Sequence, residues 1–174
     1  MPEINFTKAG IILCLGLLGH GSLLAESWEL RAMDENIVGS REILDGKIDD
    51  AIELLEQARE NTRREDSGVL GNLCVAHALK LEYAKALRYC SRAIHSTEAD
   101  PMTYNNRGAV RAAMGDERGA LRDFWQAGCT STCGSSCVED DNPARSVAQR
   151  NLQRLRLISP ALYNNQELRF QARL

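Results

Sequence analysis

Small and apolar residues recur along this chain at a fixed spacing. Ala86 and Ala120 stand 34 apart, as do Ala93 and Ala127, Cys90 and Phe124, Cys74 and Gly108, Leu70 and Tyr104, and Asn72 and Asn106. An upstream copy sits at a shift of 35, where Gly39, Ala51, Leu55 and Ala58 match Cys74, Ala86, Cys90 and Ala93, and Gly46 matches Leu81. A period of this length, with apolar positions at helical spacing inside each copy, predicts one helix–turn–helix unit per copy. In the third copy, Pro101 suits a first helical position, a helix follows to Met114, Gly115 ends it, and a second helix covers roughly 117–127. Gly108 and Ala120 are expected to face each other across that hairpin, with Tyr104, Leu121 and Phe124 filling the space around them. The hairpins are placed at 32–60, 67–96 and 101–128.

After Ala127 the pattern stops, and 129–142 is a loop rich in cysteine and small polar residues. Asn142-Pro143 then reads as a cap followed by a first-turn proline, and Val147, Ala148, Leu152 and Leu155 share one face of a helix over about 143–157. A stack of hairpins buries each unit against its neighbour and leaves the last one open, so this helix is expected to close the array. Pro160 ends it, and an irregular or short helical basic tail follows to the end of the 143–174 segment. The predicted fold is all-α: a helical-hairpin solenoid of about three repeats with a C-terminal capping helix.

The third copy, Tyr104-Asn105-Asn106-Arg107-Gly108 followed by Gly115-Asp116, Ala120-Leu121, Phe124 and Ala127, resembles the tetratricopeptide repeat family. The resemblance extends over residues 32–128, as copies at about 32–66, 67–100 and 101–128. It has departures: Arg107 and Arg111 replace a leucine and an aromatic, Leu81 replaces the turn glycine, and Glu35 replaces the first aromatic. The family implies protein or peptide binding in the concave surface made by the first helix of every unit. The residues it places there are Asn36 and Ser40, then Asn72, Val75 and Leu79, then Asn105, Asn106, Ala109 and Ala113. Asparagine amides both donate and accept, so they suit a peptide backbone, and on this reading they face solvent in the free protein. The lysines and arginine with which chaperone-binding relatives hold a terminal carboxylate are missing.

Residues 1–25 have a different character. Lys8 precedes an apolar run from Ala9 to Leu18, broken at His20 and followed by Gly21, Ser22 and Ala25. This is the layout of a secretory signal peptide; an uncleaved anchor is the alternative, although the run falls short of the ~20 residues that span a bilayer. Leu13 before Cys14 does not suit a lipid-attachment site. The expected location is therefore the periplasm or cell envelope.

A net charge of −3 supplies no general attraction for nucleic acid. Six arginines against one acid from Pro143 onward leave a basic tail on an acidic body. That tail, or an uncleaved N-terminus, is the route by which the chain would contact a membrane.

Export would place Cys74, Cys90, Cys129, Cys133 and Cys137 where disulfides persist. The family's hairpin brings Cys74 and Cys90 face to face; a bond there competes with two buried thiols. For Cys129, Cys133 and Cys137 a disulfide competes with metal ligation, although no Cys-x-x-Cys pair or nearby histidine is present.

No catalytic motif occurs. Asp49-Asp50 and Asp140-Asp141 sit beside helix starts, where acids are favourable without any catalytic role, and His77 belongs to a packed helix. The functional expectation is a non-enzymatic module without cofactor that binds an unidentified protein or peptide. The alternative is a redox- or metal-linked protein using Cys129, Cys133 and Cys137.

Overall fold

The computed structural model describes residues 6–7, 10–14, 27–61, 66–96, 100–128 and 143–164. The helices are α1 (Ser40–Leu44), α2 (Ile48–Asn61), α3 (Ser67–Leu79), α4 (Tyr83–His95), α5 (Pro101–Ala113), α6 (Glu117–Gly128) and α7 (Pro143–Ile158). They form antiparallel hairpins, α3 on α4 and α5 on α6, stacked side by side, and α7 packs on α6 and α5. The chain is thus an all-α helical-hairpin solenoid closed by a C-terminal helix.

The hairpins start where the chain supplies caps. Asp66 accepts hydrogen bonds from the amides of Gly68 and Val69 at 2.8 and 3.0 Å, and Asp100, one repeat on, accepts from Met102 at 2.6 Å. Each satisfies amides that the first helical turn leaves without partners. Between the helices of each pair, one residue takes a left-handed backbone: Gly46 at φ 76°, Leu81 at φ 61° and Gly115 at φ 81°. Leu81 adopts the glycine conformation against its own preference.

One packing site recurs in all three copies. A Cβ at Gly39 would lie 2.8 Å from Leu55 Cγ, and one at Gly108 would lie 2.6 Å from the Phe124 ring. In the second copy the same pair of positions is Cys74 and Cys90, disulfide-bonded with Cα atoms 5.2 Å apart. The missing side chain of Gly108 makes room for Phe124 and Asp123, because a ring fully buried between the helices needs that space.

Asp123 also accounts for two departures from the repeat pattern. It is 3% exposed and accepts from Arg107 Nε and Nη2 at 2.8 and 2.7 Å and from Arg111 Nη1 at 2.8 Å. The two arginines stand in place of apolar residues because a buried carboxylate lies opposite them, and a buried charge requires such partners.

The first repeat differs most from expectation. Its first helix is only the five residues of α1, which follows a run of turns over 35–39, and the chain before those turns is extended from β3 to Met33. Three short strands, β1 (Phe6–Thr7), β2 (Gly10–Cys14) and β3 (Ser27–Leu30), form an antiparallel sheet in the order β1-β2-β3. The register sets Leu30 opposite Ile11 and Trp28 opposite Leu13. The sheet is an addition to the solenoid rather than an alternative to it.

Leu81 is more than half exposed, so replacing it loses little burial. A left-handed non-glycine residue costs about 1–2 kcal/mol, and glycine returns part of that as lost chain entropy. Leu81→Gly is expected to raise stability by about 0.5–1 kcal/mol in urea unfolding; an unchanged or lower midpoint would contradict the strain. Conversely, Asp123→Ala should cost about 3–5 kcal/mol, because it takes from two partly buried arginines the buried carboxylate that holds both. The same unfolding measurement reads it.

Candidate functional site: the concave face

The concave face carries an asparagine from each of three successive first helices: Asn72 on α3, Asn106 on α5 and Asn151 on α7. All three are fully buried, and what buries them is the extended chain from β3 to Met33. The Glu29 amide donates to Asn151 Oδ1 at 3.0 Å, and Asn151 Nδ2 donates back to the Glu29 carbonyl at 2.9 Å. Two residues on, Arg31 makes the same exchange with Asn106, at 3.0 and 2.7 Å. After two more, the Met33 amide donates to Asn72 Oδ1 at 2.8 Å, while Asn72 Nδ2 donates to the Val38 carbonyl at 3.0 Å and to Ser40 Oγ at 2.8 Å. Asn105 completes the set by donating to the Glu29 carbonyl at 3.1 Å and accepting from Asn151 Nδ2 at 3.0 Å.

The alternation follows from two repeats meeting. In a strand, every second residue turns its N–H and C=O to the same edge, about 6.5–7 Å apart. Successive first helices of the stack present one equivalent asparagine each. One asparagine per helix therefore meets one peptide unit in two, whatever the side chains.

The side chains of the segment anchor it as well. Trp28 and Leu30 are buried with Phe124, Leu121, Ala109 and Leu155, and the Trp28 and Phe124 rings stack with centroids 5.9 Å apart. Glu29 receives Arg150 through two bonds of 2.7 Å, and this contact pushes the guanidinium above its already high value despite partial burial. Met33 packs with Met102, Ala144 and Val147. Each buried side chain contributes about 1.5–3 kcal/mol, and the six main-chain bonds to asparagine about 0.5–1.5 kcal/mol each. The segment is therefore part of the core.

This corrects the reading of the groove residues. Asn72, Asn105 and Asn106 do not face solvent; they hold this chain's own backbone. Asn36 is exposed in a turn and bonds to Asp34. Ser40 is buried and donates to the Asp34 carbonyl at 2.8 Å. Val75 is buried with Ile43, Leu55 and Leu73, with Leu79 packed at the margin of that cluster. Ala109 and Ala113 lie in or against the cluster that holds Trp28 and Leu30. Beside the segment lies a cleft of about 390 Å³ bounded by Arg31, Asp34, Glu35, Asp100, Met102 and Ala144.

Sequence reasoning missed Asn151, Arg150 and the segment itself. The signal for the strand is the alternation of Trp28, Leu30 and Ala32 with Glu29 and Arg31. Asn151 escaped because the 129–142 loop shifts it out of the 34-residue frame, to 45 after Asn106.

His77 is buried, 2.8 Å from a Glu82 oxygen, and stacked on Tyr89 with centroids 5.3 Å apart. Hydrogen bonds from Lys85 and His77 hold the Glu82 carboxyl below its ordinary range. Among the described residues no three histidine, cysteine or acidic side chains are grouped to hold a metal, and no helix is long and apolar enough to cross a membrane. Cys129, Cys133, Cys137, Asp140, Asp141, Arg169 and Arg173 lie outside the described residues.

No family model and no curated protein matches the chain. A crystal structure of MamA superposes on it with a TM-score of 0.49 and 14% identity, covering 78% of this chain and 88% of that one. At that level of similarity the likeness carries no argument about site or partner.

Asn106→Ala is expected to destabilise the protein by about 2–4 kcal/mol, because it leaves the Arg31 N–H and C=O without partners where water reaches them poorly. Asn36→Ala should change stability by less than about 0.5 kcal/mol. Thermal or urea midpoints check both; equal midpoints for Asn106→Ala and the unaltered protein would mean that the segment is not held as described.

Proposed function

We propose that this protein is an exported, non-enzymatic interaction scaffold of the periplasm or cell envelope, and that its concave face binds an extended segment of a partner protein. The observation that carries the reading is the cleft of about 390 Å³ beside the resident segment, bounded by Arg31, Glu35, Asp100 and Met102, since the ladder of Asn72, Asn106 and Asn151 is filled by this chain's own backbone. A cleft lined by extended chain suits an extended ligand better than a compact one. The charge and apolar pattern of residues 1–25 supports export, and the Cys74–Cys90 bond is compatible with an oxidising compartment. The cofactor-free reading rests on the lack of a catalytic motif in the sequence.

Photo-crosslinking in the native envelope tests the proposal. A cross-linking residue at Glu35, beside the open cleft, should give a defined partner adduct, whereas one at the exposed Arg118 of α6 should give none. Mass spectrometry of the same material should show a mature chain starting after Gly21 or Ala25. Adducts of equal yield from both positions, or from neither, would remove the concave face from the proposal. An intact Met1 on soluble cytosolic protein would remove the compartment.

A further inference from the structure

The two edges of β3 have different partners. Successive residues of a strand direct their N–H and C=O to opposite edges. Glu29 and Arg31 turn theirs to Asn151 and Asn106 on the helices. Trp28 and Leu30 therefore turn theirs to the other edge, which β2 occupies in antiparallel register, Leu13 against Trp28 and Ile11 against Leu30. The inner edge is built from three helices, and the face of the strand is anchored by Trp28 and Leu30 in the core. The outer edge depends wholly on residues 10–14.

Those residues lie inside the segment whose pattern suits removal on export. Cleavage after Ala25 would leave β3 in place, since the helices supply its inner-edge hydrogen bonds and bury Trp28 and Leu30, and would uncover the N–H and C=O groups of Trp28 and Leu30. A strand edge fixed to a rigid scaffold, with its donors and acceptors already aligned, is a template for another strand. We propose that the mature protein binds its partner by strand addition: an extended, apolar segment of the partner pairs antiparallel with the outer edge of β3, in the place that β2 holds in the full chain. The inference rests on the reading that residues 1–25 are removed and that the partner segment is extended. It adds where the segment lies, beside the resident strand and not instead of it. Displacing the resident strand would break its asparagine bonds and expose Trp28, Leu30 and Met33, whereas addition breaks nothing.

Amide hydrogen exchange, followed residue by residue by NMR on processed protein recovered from the envelope, distinguishes the edges. The probe is a synthetic peptide of the β2 sequence Gly10–Cys14 with Cys14→Ser, flanked by lysines for solubility. Without probe, the Glu29, Arg31 and Met33 amides should exchange slowly and those of Trp28 and Leu30 fast. Saturating probe should slow Trp28 and Leu30 at least tenfold and leave the other three unchanged. The same peptide with Ile11→Pro and Leu13→Pro, which lacks the two facing donors, should have no effect.

Three outcomes overturn the inference. Trp28 and Leu30 are not slowed; or the probe speeds exchange at Glu29, Arg31 and Met33, meaning displacement; or the recovered protein keeps residues 10–14 and already protects Trp28 and Leu30. In each of these a cross-linked partner at Glu35 still supports the scaffold, while loss of that adduct with the exchange pattern intact would count against the scaffold alone.

Discussion

The structure depends on the hydrogen bonds between side-chain amides and an extended main chain. Asn72, Asn106 and Asn151 come from three helices that are distant in sequence, and the segment from β3 to Met33 ties them together across more than a hundred residues. An amide side chain fits this task because it offers one acceptor and one donor in the same plane as a peptide unit. Burial raises the stakes, since none of these groups can fall back on water. The face that a solenoid usually leaves open for others is here completed by its own N-terminal strand.

The interior of each hairpin meets a related constraint with different chemistry. Two helices must approach closely at one level. Gly39 with Leu55, and Gly108 with Phe124, do so by pairing no side chain with a large one; Cys74 and Cys90 do so with a covalent bond. Likewise Arg107 and Arg111 do not weaken the third repeat, because Asp123 replaces the apolar contact they would otherwise interrupt.

Self-completion changes what the concave face can offer. The asparagines are occupied by this chain's own backbone, and the cleft bounded by Glu35, Met102 and Ala144 lies open beside them. Its rim carries Asp34, Glu35 and Asp100 together with Arg31.

The sequence by itself determined the period, the second and third hairpins, the closing helix and the equivalence of Asn72 and Asn106, because helical spacing and small-residue sites are local features that repeat. The resemblance to the repeat family implied that Cys74 and Cys90 face each other, and the structure joins them. The tertiary structure alone decided that Asn72 and Asn106 point at this chain's own backbone, that Asn151 joins them, and that Trp28 and Leu30 belong to the core. The physical reason is that an asparagine on a helix face looks the same in sequence whether its partner is water, a ligand or a distant strand. Its partner is chosen only when the stacked helices and the extended segment meet in space.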